Sequence, residues 1–141
     1  MKLIINIVKI FGICLLRFPL IPRVWCVWLG VTNLGCLAFL SHVEAQVVLG
    51  VTGVAVIFQA LVYDRLGFTR ILGTAHVLWI PMFAWMATRL EVIQAHPELS
   101  AWLAVLFATN LVSFVVDLTD AIRFLRGERA PHYRWASTNP T

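Results

Sequence analysis

The sequence predicts an all-α integral membrane protein: a four-helix transmembrane bundle with an N-terminal interfacial amphipathic helix and both termini cytoplasmic. Three observations predict it. Of 141 residues, 60% are hydrophobic and 13% charged, too apolar for an ordinary soluble domain. The apolar residues fall into four runs, 23–40, 45–63, 71–88 and 100–119. The basic residues are placed so that one orientation puts nearly all of them on one side of a bilayer.

The first element, residues 1–18, reads as a helix in the cytoplasmic interface. At 100° per residue, Lys2, Asn6, Lys9 and Arg17 fall within an arc of roughly 80°, opposite an apolar face. Lys9 and Asn6 interrupt the apolar core that a signal peptide would need, and no small-residue cleavage site follows. Pro19 and Pro22 are expected to break this helix before the first span.

Each apolar run is about 18 to 20 residues, the length a helix needs to cross a hydrocarbon core of about 30 Å. A spanning segment must satisfy its backbone internally, so runs of this length are read as helices. Short links, "SHVE", "DRLGFTR" and "RLEVIQAHPELS", make neighbouring helices antiparallel. Residues 120–141 form a basic cytoplasmic tail, with the last helix continuing to Arg126 and stopping at Gly127. The whole chain is a single membrane domain. With both termini inside, ten of its 11 Lys and Arg residues are cytoplasmic, and Arg89 alone is outside. The basic balance is thus an orientation signal, a nucleic-acid partner is not expected, and anionic lipid headgroups are the expected contact of the basic ends.

Two H-x-E pairs, His42/Glu44 and His96/Glu98, lie in links assigned to the outside and could supply four ligands to a divalent ion. Helix starts account for them more simply. Ser41 and Glu44 have capping-box spacing, Pro97 suits a first helical turn, and Glu98 faces the positive end of a helix dipole. No metal and no cofactor are expected. Haem between facing histidines is excluded within the bilayer, where His76 stands alone.

Ionisable groups within the spans are costly and default to functional candidates. Asn110, Ser113 and Asp117 form one stripe on the fourth helix, and Thr52, Gln59 and Tyr63 another on the second. Pro81 is expected to kink the third helix one turn beyond His76. The candidate binding residues are therefore Gln59, Tyr63, His76, Ser113 and Asp117, lining a polar path with His76 partnered by Asp117, or else serving as hydrogen-bonded links between helices. Asp120 and Arg123 have the spacing of an i, i+3 ion pair.

Small residues, Gly30, Thr32 and Cys36 on the first helix and Gly50 and Gly53 on the second, are expected to let these helices approach closely. Gly73, Ala84 and Ala87 form a similar face on the third. Trp25, Trp28, Trp85 and Trp102 read as an aromatic belt, and Trp79 as packing. Cys14, Cys26 and Cys36 lack C-x-x-C spacing and read as apolar packers. No phosphate loop, H-E-x-x-H or G-x-S-x-G occurs, so no enzymatic activity is expected. The expected function is a non-enzymatic accessory or structural subunit of a membrane complex, in a bacterial inner membrane, with other membrane subunits and lipid as partners. The alternative is a small homo-oligomeric transporter or channel with a His/Asp path opening to the cytoplasm.

Overall fold

A computed structural model describes residues 1–128, and they are almost wholly helical, broken only by short turns, with no strand among them. The chain runs α1 (Lys2–Leu16), α2 (Leu20–Leu34), α3 (Val43–Leu66), α4 (Trp79–Ala87), α5 (Leu90–Gln94) and α6 (Pro97–Leu125). Two 3-10 segments complete it: Gly35–Phe39 extends α2, and Arg70–Leu78 leads into α4. The rest of the expected tail, from residue 129, lies outside the described residues.

Three helices are long and apolar enough to cross a membrane: Leu20–Phe39, Val43–Leu66 and Pro97–Leu125. The fourth expected span, 71–88, does form as helix, but its first half is a 3-10 run of 9 residues holding Arg70 and His76. Such runs seldom exceed three or four residues, because i to i+3 bonding is less well aligned. The break expected at Pro81 takes this form: α4 restarts at Trp79, which places Pro81 in its first turn, where an amide is not needed. The long third link is also not a plain loop, since α5 forms within it and buries Ile93.

Packing runs opposite to that of a water-soluble protein. Outward faces carry Leu20, Val31, Val54, Leu61, Val115 and Leu118, all exposed. Inside, next to the apolar core of Cys36, Val48, Trp79, Met82, Leu99 and Leu106, sit Asn33, Asn110, Thr109 and Ser113. A surface that is apolar and a centre that holds amides fit a hydrocarbon solvent, in which polar groups gain by finding one another.

Three expectations about faces are corrected. Asn6 does not share a solvent-facing arc with Lys2 and Lys9. Together with Ile10 and Ile13 it forms the buried face of α1, and its Nδ2 donates to Asp64 Oδ1 of α3 at 3.1 Å. The chain break lies at Arg17–Pro19, and Pro22 sits in the first turn of α2 rather than ahead of it. The close approach expected at Gly30, Gly50 and Gly53 does not occur: a Cβ at any of them would meet nothing within 4 Å. The tight glycines are Gly35, where a Cβ would come within 2.6 Å of Trp102 Nε1, and Gly73, whose Cα faces the Asp117 carboxylate.

Candidate functional site

The polar stripe expected on α6 exists, and each of its members has a different partner. Asn110, Ser113, Asp117 and Asp120 follow i, i+3, i+7, i+10 spacing, one helix face. Asn110 exchanges two hydrogen bonds with Asn33 of α2, at 2.9 and 3.2 Å. Ser113 Oγ accepts from Trp25 Nε1 at 3.0 Å. Asp117 Oδ2 lies 2.5 Å from His76 Nδ1, and Asp120 Oδ1 accepts from Arg70 Nη1 at 2.8 Å. Arg70 is thus the partner of Asp120, in place of Arg123, which pairs with Glu128 at 2.8 Å.

Gln59, His76 and Asp117 form a connected line, with Gln59 Nε2 3.3 Å from His76 Nε2. These contacts select a tautomer: Nδ1–H donates to the carboxylate, and the Nε2 lone pair accepts from the amide. The ring is held flat on Trp79, at a centroid distance of 4.0 Å and an angle of 8°. Gly73 supplies the room for Asp117, since a Cβ there would fall on the carboxylate. The 3-10 segment thus brings Gly73 and His76, i and i+3, onto one eclipsed edge facing α6. Beside them a groove of about 250 Å³ is lined by Gly73, Thr74, Val77, Phe114, Asp117, Leu118 and Ala121. A titratable pair in such a position can hold or pass a single proton.

Of the five candidate binding residues, then, Gln59, His76 and Asp117 are brought together. Ser113 is bonded to Trp25 instead, and Tyr63 packs against the Ile10, Ala60 and Leu72 cluster. Thr52, expected in line with Gln59, donates to Asn33 Oδ1 at 3.5 Å.

At the opposite end of the helices a second polar cluster gathers. Glu44 is 2% exposed and its Oε1 accepts from Arg89 Nε at 2.7 Å, while the guanidinium lies over the Trp85 ring at 5.2 Å. The Ser41/Glu44 capping box is therefore not formed: His42 is the N-cap of α3 and makes no side-chain cap bond. His42 and His96 meet, with ring centroids 4.6 Å apart. Among the described residues no three His, Cys, Asp or Glu side chains gather in a way that could hold a metal ion.

The tryptophans, whose positions suggest an interface role, also bond across helices. Trp28 Nε1 donates to Thr109 Oγ1 at 3.1 Å and Trp102 Nε1 to the Thr32 carbonyl at 3.0 Å. With Trp25 they tie α2 to α6. Thr32 O is the acceptor an α-helix would offer to the Cys36 amide, and the helix tightens to 3-10 there. Asn33 was the functional residue with the least signal: an Asn in an apolar run is itself the cue, since burying its amide is costly without a partner.

Fold and site together define a helical protein with three helices fit to cross a membrane and a core of inter-helix polar pairs. No protein-family model matches the chain, and no curated protein or solved structure matches it.

Proposed function

We propose that this chain is a small multi-pass membrane protein that crosses the bilayer four times, with both termini and the α1 helix on the cytoplasmic side. It serves, without catalysis, as an accessory or structural subunit of a membrane complex, and its expected home is a bacterial inner membrane. One observation carries this reading: every polar member of the α6 stripe is matched to a group on another segment, while the outward faces are apolar. The polar groups thus bind the bundle together, and the apolar faces are left for lipid and partner helices. The orientation rests on the basic residues. Lys2, Lys9, Arg17, Arg23, Arg65, Arg70, Arg123 and Arg126 lie at or beyond one end of the helices, whereas Arg89 lies at the other, neutralised by Glu44.

The test is native mass spectrometry of the protein extracted in mild detergent from its own host. A fixed heteromeric mass supports the subunit reading; a homo-oligomer alone refutes it. A second reading is favoured by the Gln59, His76 and Asp117 line: a self-associating, proton-linked transporter. It requires that His76→Ala and Asp117→Asn fold, judged by unchanged elution in detergent, while abolishing flux in proteoliposomes.

A further inference from the structure

His42 and His96 are the N-cap residues of α3 and α6, and neither side chain caps its helix. Each imidazole is therefore free to turn towards the other. They do so with centroids 4.6 Å apart and planes at 63°, close enough for a small rotation of each side chain to bring one nitrogen of each ring to a common ion. Glu44 does not compete for that point, because its carboxylate is held by Arg89 at 2.7 Å. With Glu44 so engaged, two imidazoles and water remain as ligands, and the exposed Glu98 carboxylate, two residues from His96, is a competitor that the test addresses.

The ring separation restricts the metal geometry. With a metal–nitrogen distance of about 2.0 Å and a nitrogen about 1.2 Å from its ring centre, each centroid lies about 3.2 Å from the ion. Centroids 4.6 Å apart then subtend about 90° at the metal. Such a cis pair does not suit a linear two-coordinate ion, and suits a tetragonal one with water in the remaining positions. Among first-row divalent ions Cu(II) prefers both imidazole ligands and tetragonal geometry, and it binds tightest. We propose that His42 and His96 form a cis bis-imidazole site for Cu(II), completed by water. This site is independent of the His76–Asp117 pair, which lies at the other end of the same helices.

The test uses the full chain carrying Cys14→Ser, Cys26→Ser and Cys36→Ala, so that thiols neither reduce nor bind the ion. It is titrated with Cu(II) sulfate in a non-coordinating buffer and followed by electron paramagnetic resonance. The expected result is one equivalent bound, with a tetragonal spectrum showing coupling to two nitrogens. His96→Ala, a change at an exposed side chain with little risk to folding, and His42→Ala each weaken binding at least tenfold and remove one nitrogen coupling. Glu98→Gln leaves binding unchanged. Absence of binding overturns the proposal, as does binding that survives both histidine variants, which would place the ion at His76 or His132. Loss of binding in Glu98→Gln overturns it too, by making the site carboxylate-ligated.

Discussion

Asn33 and Asn110 hold α2 to α6 with two reciprocal amide bonds, and their unequal surroundings allow a sharp prediction. Asn110 is fully buried and Asn33 is the partner of both its bonds, whereas Asn33 Nδ2 also donates to the Leu29 carbonyl at 2.9 Å and its Oδ1 accepts from Thr52. Bonds between helices in a membrane contribute about 0.6 kcal/mol each, so the shared pair is worth about 1.2 kcal/mol. Asn110→Ala removes that pair and leaves Asn33 with its other partners, a cost of about 1.5 kcal/mol. Asn33→Ala removes the same pair, breaks the two further bonds and strands a wholly buried amide, which adds about 1 to 2 kcal/mol more. The double variant should then cost at least about 1.2 kcal/mol less than the sum of the singles, because the shared pair is counted in both and no amide is left stranded. Equilibrium unfolding in bicelles, read as a double-mutant cycle, measures all three. Costs that add to within about 0.3 kcal/mol, or a larger loss from Asn110→Ala than from Asn33→Ala, would refute the reasoning.

Arg89→Met leaves the Glu44 carboxylate buried without its cation and should cost about 3 kcal/mol or more. Glu44→Gln on the same background should recover much of that, measured by the same unfolding assay. Gly73→Ala drives a Cβ into the Asp117 carboxylate and should lower stability by about 1 to 3 kcal/mol. Gly50→Ala and Gly53→Ala meet nothing within 4 Å and should be neutral or stabilising by up to about 1 kcal/mol, so thermal melts of the three in detergent separate tight from open glycines. The exposed Glu128 carboxyl is held below the usual carboxylate range, first by its hydrogen bond from Arg123 and then by nearby charge. Its contribution is therefore present above that range and fades as pH falls through the depressed value. A carboxyl-carbon NMR titration should show a midpoint below that of a free glutamate, returning towards it in Arg123→Gln.

Helix existence and length were legible because they depend on local periodicity and run length. Three of the expected spans reappear as helices long and apolar enough to cross a membrane, while 71–88 is helical but divided between a 3-10 run and α4; Pro97 opens α6 as read, and Gly127 follows the helix end with φ of 98°. The α6 stripe and the pairing of His76 with Asp117 were legible too, since an ionisable group in an apolar run demands a partner and few were on offer.

What could not be read was the rotation of each helix about its own axis, which is settled by packing between segments distant in sequence. That rotation sends Asn6 to Asp64, Glu44 to Arg89 and Asn33 to Asn110, across separations of 58, 45 and 77 residues. It also brings three tryptophan N–H groups onto acceptors across the α2–α6 seam and leaves Gly50 and Gly53 facing out, outcomes that the residue types alone leave equally open. Residue order thus sets which segments are helical and apolar enough for a bilayer. Contact between the helices sets which polar groups meet, because a buried donor takes the nearest acceptor its neighbour presents, and that choice exists only once the helices are side by side.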